Sequence, residues 1–151
     1  MKRVYLHRMR VPFADTDLAG IVHFANFFRY MENAEHAFYR SLGFSVHPGG
    51  SAAEGLESYP GYGWPRVSAT CDYKKPLRFE QEVDVAVCIL ERGAKTIDYE
   101  FHFLVKGSDD PVAVGKMRVI CVRFDEEAKR MRAVDMPESI RSKVDSVSPL
   151  D

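Results

Sequence analysis

Two carboxylates, Asp15 and Asp17, stand two residues apart shortly before the longest helical pattern in the chain. An Asp-x-Asp pair in a turn-rich segment commonly hydrogen-bonds its own backbone as an Asx-turn. Its position here allows a second use. A helix start presents unpaired N–H groups and a partial positive charge, and both favour an oxyanion. A carboxylate beside that terminus, in a cleft lined by Phe13, Phe24, Phe27 and Phe28, supplies a nucleophile or general base next to a donor for developing negative charge. Such chemistry requires a carbonyl substrate held between the two. Asp15, Asp17, His23 and His36 show no metal-ligand spacing, so no metal is expected.

The elements that must position these groups can be read from periodicity. Val4 to Val11 is strand-compatible, and Pro12 to Gly20 is a turn-rich hinge. Phe27, Tyr30, Met31, Ala34, Phe38 and Leu42 recur every three or four residues, which predicts one amphipathic helix. Asn26 is its expected N-cap and Gly43 its C′ residue. Arg29, Glu32, Asn33, Glu35 and Arg40 fall mostly on the outer side. Residues 47–63 are rich in Gly, Pro, Ser and Ala and read as a loop. After them the period becomes two. Val67, Ala69, Cys71 and Tyr73 form one inward row, Val83 to Ile89 a second, and Ile97 to Val105 a third. The run from Val112 to Phe124 reads as a strand inside the sheet, and Pro137 opens a short final helix. One strand, one long helix and four strands joined by short turns make a two-layer α+β domain with an antiparallel sheet. One helix cannot cover five strands, so dimerisation is expected.

The 151 residues amount to one domain, long enough to bury a core without disulfide or metal. The formal charge of −1 argues against a dedicated nucleic-acid binder and against a polybasic membrane anchor. No run is apolar and long enough to span a membrane, and Met1 to Arg8 lacks a signal-type apolar stretch, so a cytoplasmic location is expected. Cys71, Cys88 and Cys121 lie in strand-like runs and read as small hydrophobes in a reducing compartment.

The stretch Asp15-Thr16-Asp17-Leu18-Ala19-Gly20-Ile21-Val22-His23-Phe24-Ala25-Asn26-Phe27-Phe28-Arg29-Tyr30-Met31-Glu32 resembles the signature of hotdog-fold thioesterases of the 4-hydroxybenzoyl-CoA thioesterase type. Tyr73-Lys74-Lys75-Pro76 and the Pro137-Glu138-Ser139-Ile140 ending extend the likeness over residues 1–151 as a single domain. The resemblance implies a curved five-stranded antiparallel sheet wrapped around one long helix, with active sites at a homodimer interface and often a dimer of dimers, a homotetramer. It implies hydrolysis of a coenzyme A thioester, with coenzyme A as part of the substrate and no other cofactor. Asp17 then corresponds to the acid that attacks the carbonyl or activates water, and the Phe24 backbone amide to the oxyanion donor. Gly20 would permit a tight bend or close approach of the thioester. Asp15 reads as structural. His23 is a weaker candidate, since a lone His is more often structural. One branch of the family carries its His a position later, where Phe24 stands, which tilts the reading toward an aromatic acyl group.

The phosphates of coenzyme A call for cations at turns. Candidates are Arg92 and Lys95 at one turn and Lys74, Lys75 and Arg78 at another, with Lys95 matching a basic position of the resembled family. Phe27, Tyr62 and Trp64 are candidate walls of an acyl pocket. Two other readings compete. A non-catalytic acyl-CoA-binding protein shares the fold. A hotdog hydratase or dehydratase would place a His motif before the central helix, whereas His47-Pro48-Gly49-Gly50 follows it.

Overall fold

The computed structural model of the protein describes residues 1–47 and 52–148. Its elements are β1 (Arg3–Arg10), α1 (Asn26–Ser41), β2 (Tyr62–Gly63), β3 (Arg66–Tyr73), β4 (Glu82–Arg92), β5 (Thr96–Val105), β6 (Ala113–Ile120), β7 (Val122–Asp125), β8 (Arg130–Ala133) and α2 (Glu138–Val147). Five strands pair antiparallel in the order β1-β4-β5-β6-β3. The sheet packs on α1 in the hotdog arrangement, with contacts from α1 to β1, β3, β4 and β6.

The helical stripe buries as its spacing predicts: Phe27, Tyr30, Met31, Ala34 and Phe38 are each at most 3 % exposed. They meet the inner rows Val83, Val85 and Val87 of β4 and Ile97, Tyr99, Phe101 and Phe103 of β5, all at most 1 % exposed. Gly115 of β6 sets the closest approach, because a Cβ there would sit 2.1 Å from the Met31 sulfur. Gly43 closes α1 with a φ of +92°, the left-handed residue expected after a helix. The N-cap is Ala25, with no side-chain cap, and the Asn26 amide reaches back to the Asp15 carbonyl at 2.9 Å instead.

Three features depart from the sequence reading. The run from Val112 to Phe124 is not one strand. It breaks at Cys121, and β7 joins β2 and β8 in a separate three-stranded sheet. β8 carries no alternation for a pattern to catch, since all four residues are exposed. Ala69, Cys71 and Tyr73 of β3 share the face of Met117, Gly115 and Ala113, but a register shift between Arg66 and Ser68 puts Arg66 rather than Val67 on that face, and Val67 is 56 % and Tyr73 45 % exposed. β3 is an edge strand paired only with β6, and α1 covers it only in part.

Glu35 is the third departure. It is fully buried, with Oε1 accepting from Arg66 Nη2 at 2.7 Å, while Oε2 has no partner among the described residues. Burial pushes its carboxyl from the ordinary 4.5 up to about 7, against the pull of Arg66. A group raised on folding contributes most below its unfolded value, and that contribution is lost as pH rises through the folded value. Urea melts should therefore show the wild type losing more stability than Glu35→Gln between roughly pH 5 and pH 8. Parallel pH curves for the two proteins would remove Glu35 as the source.

Candidate active site

The hinge before α1 is a small hairpin. Thr16 bridges Val22, Asp17 N–H donates to the Ile21 carbonyl at 2.9 Å, and Gly20 N–H donates to the Asp17 carbonyl at 2.9 Å. Gly20 has a φ of +77° and open space around its Cα, so the backbone conformation rather than crowding calls for glycine. Asp17 Oδ1 accepts from Ala19 N–H at 2.8 Å. This is the Asx-turn that the pair was expected to favour, and it anchors only one oxygen. Asp17 Oδ2 makes no hydrogen bond to a described residue, and the side chain is exposed.

Asp15 differs on every count. It is 8 % exposed, and both carboxylate oxygens are engaged, Oδ1 by Arg29 at 2.6 Å and Oδ2 by the Tyr30 hydroxyl at 2.7 Å. Its carbonyl accepts from His23 N–H and the Asn26 amide, each at 2.9 Å. Asp15 thus stitches the hinge to the first turn of α1.

The backbone donors at the helix entry can be followed one by one. Val22 N–H donates to Leu77 and His23 N–H to Asp15. Ala25 N–H donates to His23 Nδ1 at 3.2 Å. Asn26, Phe27 and Phe28 close short turns onto His23, Phe24 and Ala25. Phe24 N–H is the one donor of this run without a partner among the described residues. The His23 ring caps the helix entry and stacks on Phe24 with centroids 4.6 Å apart.

A cleft of about 510 Å³ opens at this point, lined by Asp17, Phe24, Phe27, Tyr73, Lys74 and Leu77 among others. The free carboxylate oxygen and the free N–H belong to residues of one cavity. Asp17 also borders a second hollow of about 580 Å³, walled by Phe13, Leu18 and Phe79. Phe13 and Phe79 pack edge to face at 5.8 Å, with Phe13 74 % exposed. The sequence reading did not single out Phe79 or the Tyr73 hydroxyl, which donates to the Phe24 carbonyl at 2.9 Å.

The predicted substrate residues divide. Phe27 and Lys74 line the cleft, and Lys74 makes no ion pair with a described residue, whereas neighbouring Lys75 is bound to Asp110 at 3.1 Å. Trp64, Arg92 and Lys95 lie elsewhere in the chain. Trp64 is 7 % exposed and packs near Tyr39 in the core. Arg92 is gripped on both sides of its guanidinium by Asp145 at 2.7 Å, and Lys95 is exposed in the following turn. Asp17 follows the end of β1 that pairs with Glu82, and Arg92 closes the other end of β4. Ten residues of strand separate those ends by roughly 30 Å. In the 47–63 segment, 48–51 fall outside the described residues, including most of the His47-Pro48-Gly49-Gly50 string. The remainder is tied down by the Phe44–Glu57 bridge and by the Tyr59 hydroxyl on Ser139 at 2.7 Å, and it contributes no wall to the cleft.

No helix of the described residues is long and apolar enough to cross a membrane. Residues 11–144 match the model of the thioesterase-like superfamily. A protein of Aquifex aeolicus (strain VF5), named as a candidate esterase, is 36% identical over 109 residues, covering 72% of this chain and 77% of its own length. A 1,4-dihydroxy-2-naphthoyl-CoA hydrolase of Synechococcus sp. (strain WH7803) is 24% identical over 131 residues, covering 87% of this chain and 82% of the relative. Among solved structures, a gentisyl-coenzyme A thioesterase superposes with a TM-score of 0.71 at 30% identity, covering 91% of this chain and 99% of the other.

Proposed function

The chain belongs to the thioesterase-like superfamily, and from that premise we propose that it is an acyl-CoA thioesterase working through Asp17 and the Phe24 amide. The observation that carries this reading is the pairing of an unengaged carboxylate oxygen with an unengaged backbone N–H in one apolar cleft. A thioester is already activated, so these two groups suffice. Asp17 either attacks the carbonyl carbon, expelling the thiolate and leaving an acyl–aspartate anhydride for water to open, or takes a proton from the water that attacks. In both routes negative charge collects on the carbonyl oxygen, where the Phe24 N–H holds it. Gly20 shapes the turn that presents Asp17, and His23 acts through the helix entry that it caps.

An aromatic acyl group fits best. Phe24, Phe27 and Tyr73 line the cleft, and the gentisyl- and dihydroxynaphthoyl-CoA relatives act on aryl thioesters. The two hollows that meet at Asp17 suit the two arms of such a substrate. Lys74 and Lys75 both line the cleft, and Lys74, in no ion pair with a described residue, is the cation left for the anionic end.

The working unit is a homodimer. The free edge of β3, with Ala69 and Tyr73 exposed and Cys71 half-buried, is an unpartnered strand beside the cleft. A second copy pairing antiparallel along β3 sets its Arg66 end beside Tyr73. Its Arg92 and Lys95 turn then lies at the cleft, which brings together cations that a single chain keeps apart. Release of free thiol from benzoyl-, gentisyl-, 1,4-dihydroxy-2-naphthoyl-, hexanoyl- and palmitoyl-CoA tests the reading. The aryl members should turn over fastest. Binding of all five with release from none would replace the enzyme by an acyl-CoA-binding protein, and hydration of crotonyl-CoA would indicate a hydratase.

A further inference from the structure

We infer that Tyr73 is a positioning residue for the oxyanion donor, locking the Phe24 backbone to the open edge strand through its hydroxyl. The inference rests on the thioesterase reading above.

Tyr73 is the last residue of β3, opposite Ala113 of β6. Its hydroxyl donates to the Phe24 carbonyl at 2.9 Å, and its ring meets Phe27 edge-on at 5.0 Å. The helix holds that same carbonyl by a long bond, from the Phe27 N–H with its nitrogen 3.4 Å away. The peptide plane before Phe24 is held separately, by Asn26 N–H on the His23 carbonyl at 2.9 Å. Between those two planes lie the φ and ψ of Phe24. The free N–H lies in the first plane, and the Tyr73 bond fixes how the second is turned against it. Without Tyr73 the plane after Phe24 rests on the 3.4 Å contact and on the Ala25 N–H, which donates to His23 Nδ1 at 3.2 Å. A tyrosine hydroxyl is a donor through neutral pH, and burial raises its pKa further, to about 12.

The same residue links the site to its surroundings. A strand laid against β3 would restrict Tyr73, and Tyr73 in turn restricts the donor. Order in the edge strand therefore becomes order at the reacting carbonyl, with no contact between the second strand and Phe24.

The test compares Tyr73→Phe, Tyr73→Leu and Asp17→Asn on the panel thioester that the wild type hydrolyses fastest. Tyr73→Phe keeps the cleft wall and loses only the donor. It should lower kcat by at least about tenfold with KM within about twofold of wild type. Its Phe24 amide resonance should move, while the pH dependence of the remaining rate between 6 and 9 keeps the wild-type shape. Tyr73→Leu removes the wall as well and should raise KM in addition. A kcat for Tyr73→Phe within twofold of wild type, or a loss carried entirely by KM, would overturn the inference while leaving the thioesterase reading intact, provided Asp17→Asn is inactive. Full activity in Asp17→Asn would overturn the catalytic reading and this inference with it. If Tyr73→Phe does not fold, the decision passes to the wild-type Phe24 amide. Slow exchange matching the helix interior supports a locked plane, and exchange at the rate of a frayed terminus rejects it.

Discussion

Asp17→Asn should leave a folded protein whose thioester hydrolysis has fallen by roughly 10²–10⁴-fold. The substitution separates the two jobs of this side chain. Oδ1 accepts the Ala19 N–H that closes the Asx-turn, and an asparagine oxygen accepts the same bond. The turn, the left-handed Gly20 and the neighbouring bridge to Val22 therefore survive. Stability should change by no more than about 0.5 kcal/mol, as for other exposed positions. The lost property is the second, unengaged oxygen with its charge, which is the part needed to attack a carbonyl or accept a proton from water. KM should hold while kcat collapses, because the cleft walls Phe24, Phe27, Tyr73 and Leu77 are untouched. Thiol release and a thermal melt on the same preparation check both halves. Release above a tenth of the wild-type rate would assign the chemistry to another group.

The contrast between Asp15 and Asp17 shows what local sequence can carry. Both roles follow from short-range geometry: a hairpin closed by a glycine, then a helix entry whose N–H groups need partners. The pattern from Asp15 to Asn26 encodes that geometry within a dozen residues, and the apolar stripe of α1 and the alternation of β4 and β5 encode the layer beneath it. Tyr73 and Glu35 act across the chain instead. The Tyr73 hydroxyl meets a carbonyl 49 residues away, and Arg66 pairs with Glu35 from 31 residues away. Neither partner is visible from periodicity. Helical spacing placed Glu35 on the outer side because charge is normally solvated, and burial of that side with Arg66 of β3 reaching its carboxylate overrides the pattern. Arg92 was legible as a turn cation, but the Asp145 of α2 that grips it comes from the far end of the chain. The alternation of β3 gave the face from Ala69 to Tyr73, but not the register shift at Val67 and not the burial, which depends on what stands beyond the edge.

That edge supplies the second large effect. Ala69→Arg should convert the protein to a monomer at micromolar concentration and lower hydrolysis by more than about 100-fold, since much of the orientation of the substrate goes with the missing wall. Ala69 lies near the middle of β3, opposite Met117 on one side and exposed on the other. In an antiparallel pairing of two copies, residues near the middle of the strand meet their own counterparts. One substitution therefore introduces two guanidinium groups face to face, and like charges directly opposite are destabilising. The fold of the single chain should be spared, because Ala69 is outside the buried core and an arginine there reaches solvent. Light scattering at several concentrations, a melt and the thiol assay distinguish the outcomes. A folded monomer with residual activity near that of Asp17→Asn would place essential parts of the site on the second copy. A stable dimer with wild-type turnover would move the interface away from β3, and would leave Arg92 and Lys95 roughly 30 Å from the carboxylate they were expected to serve.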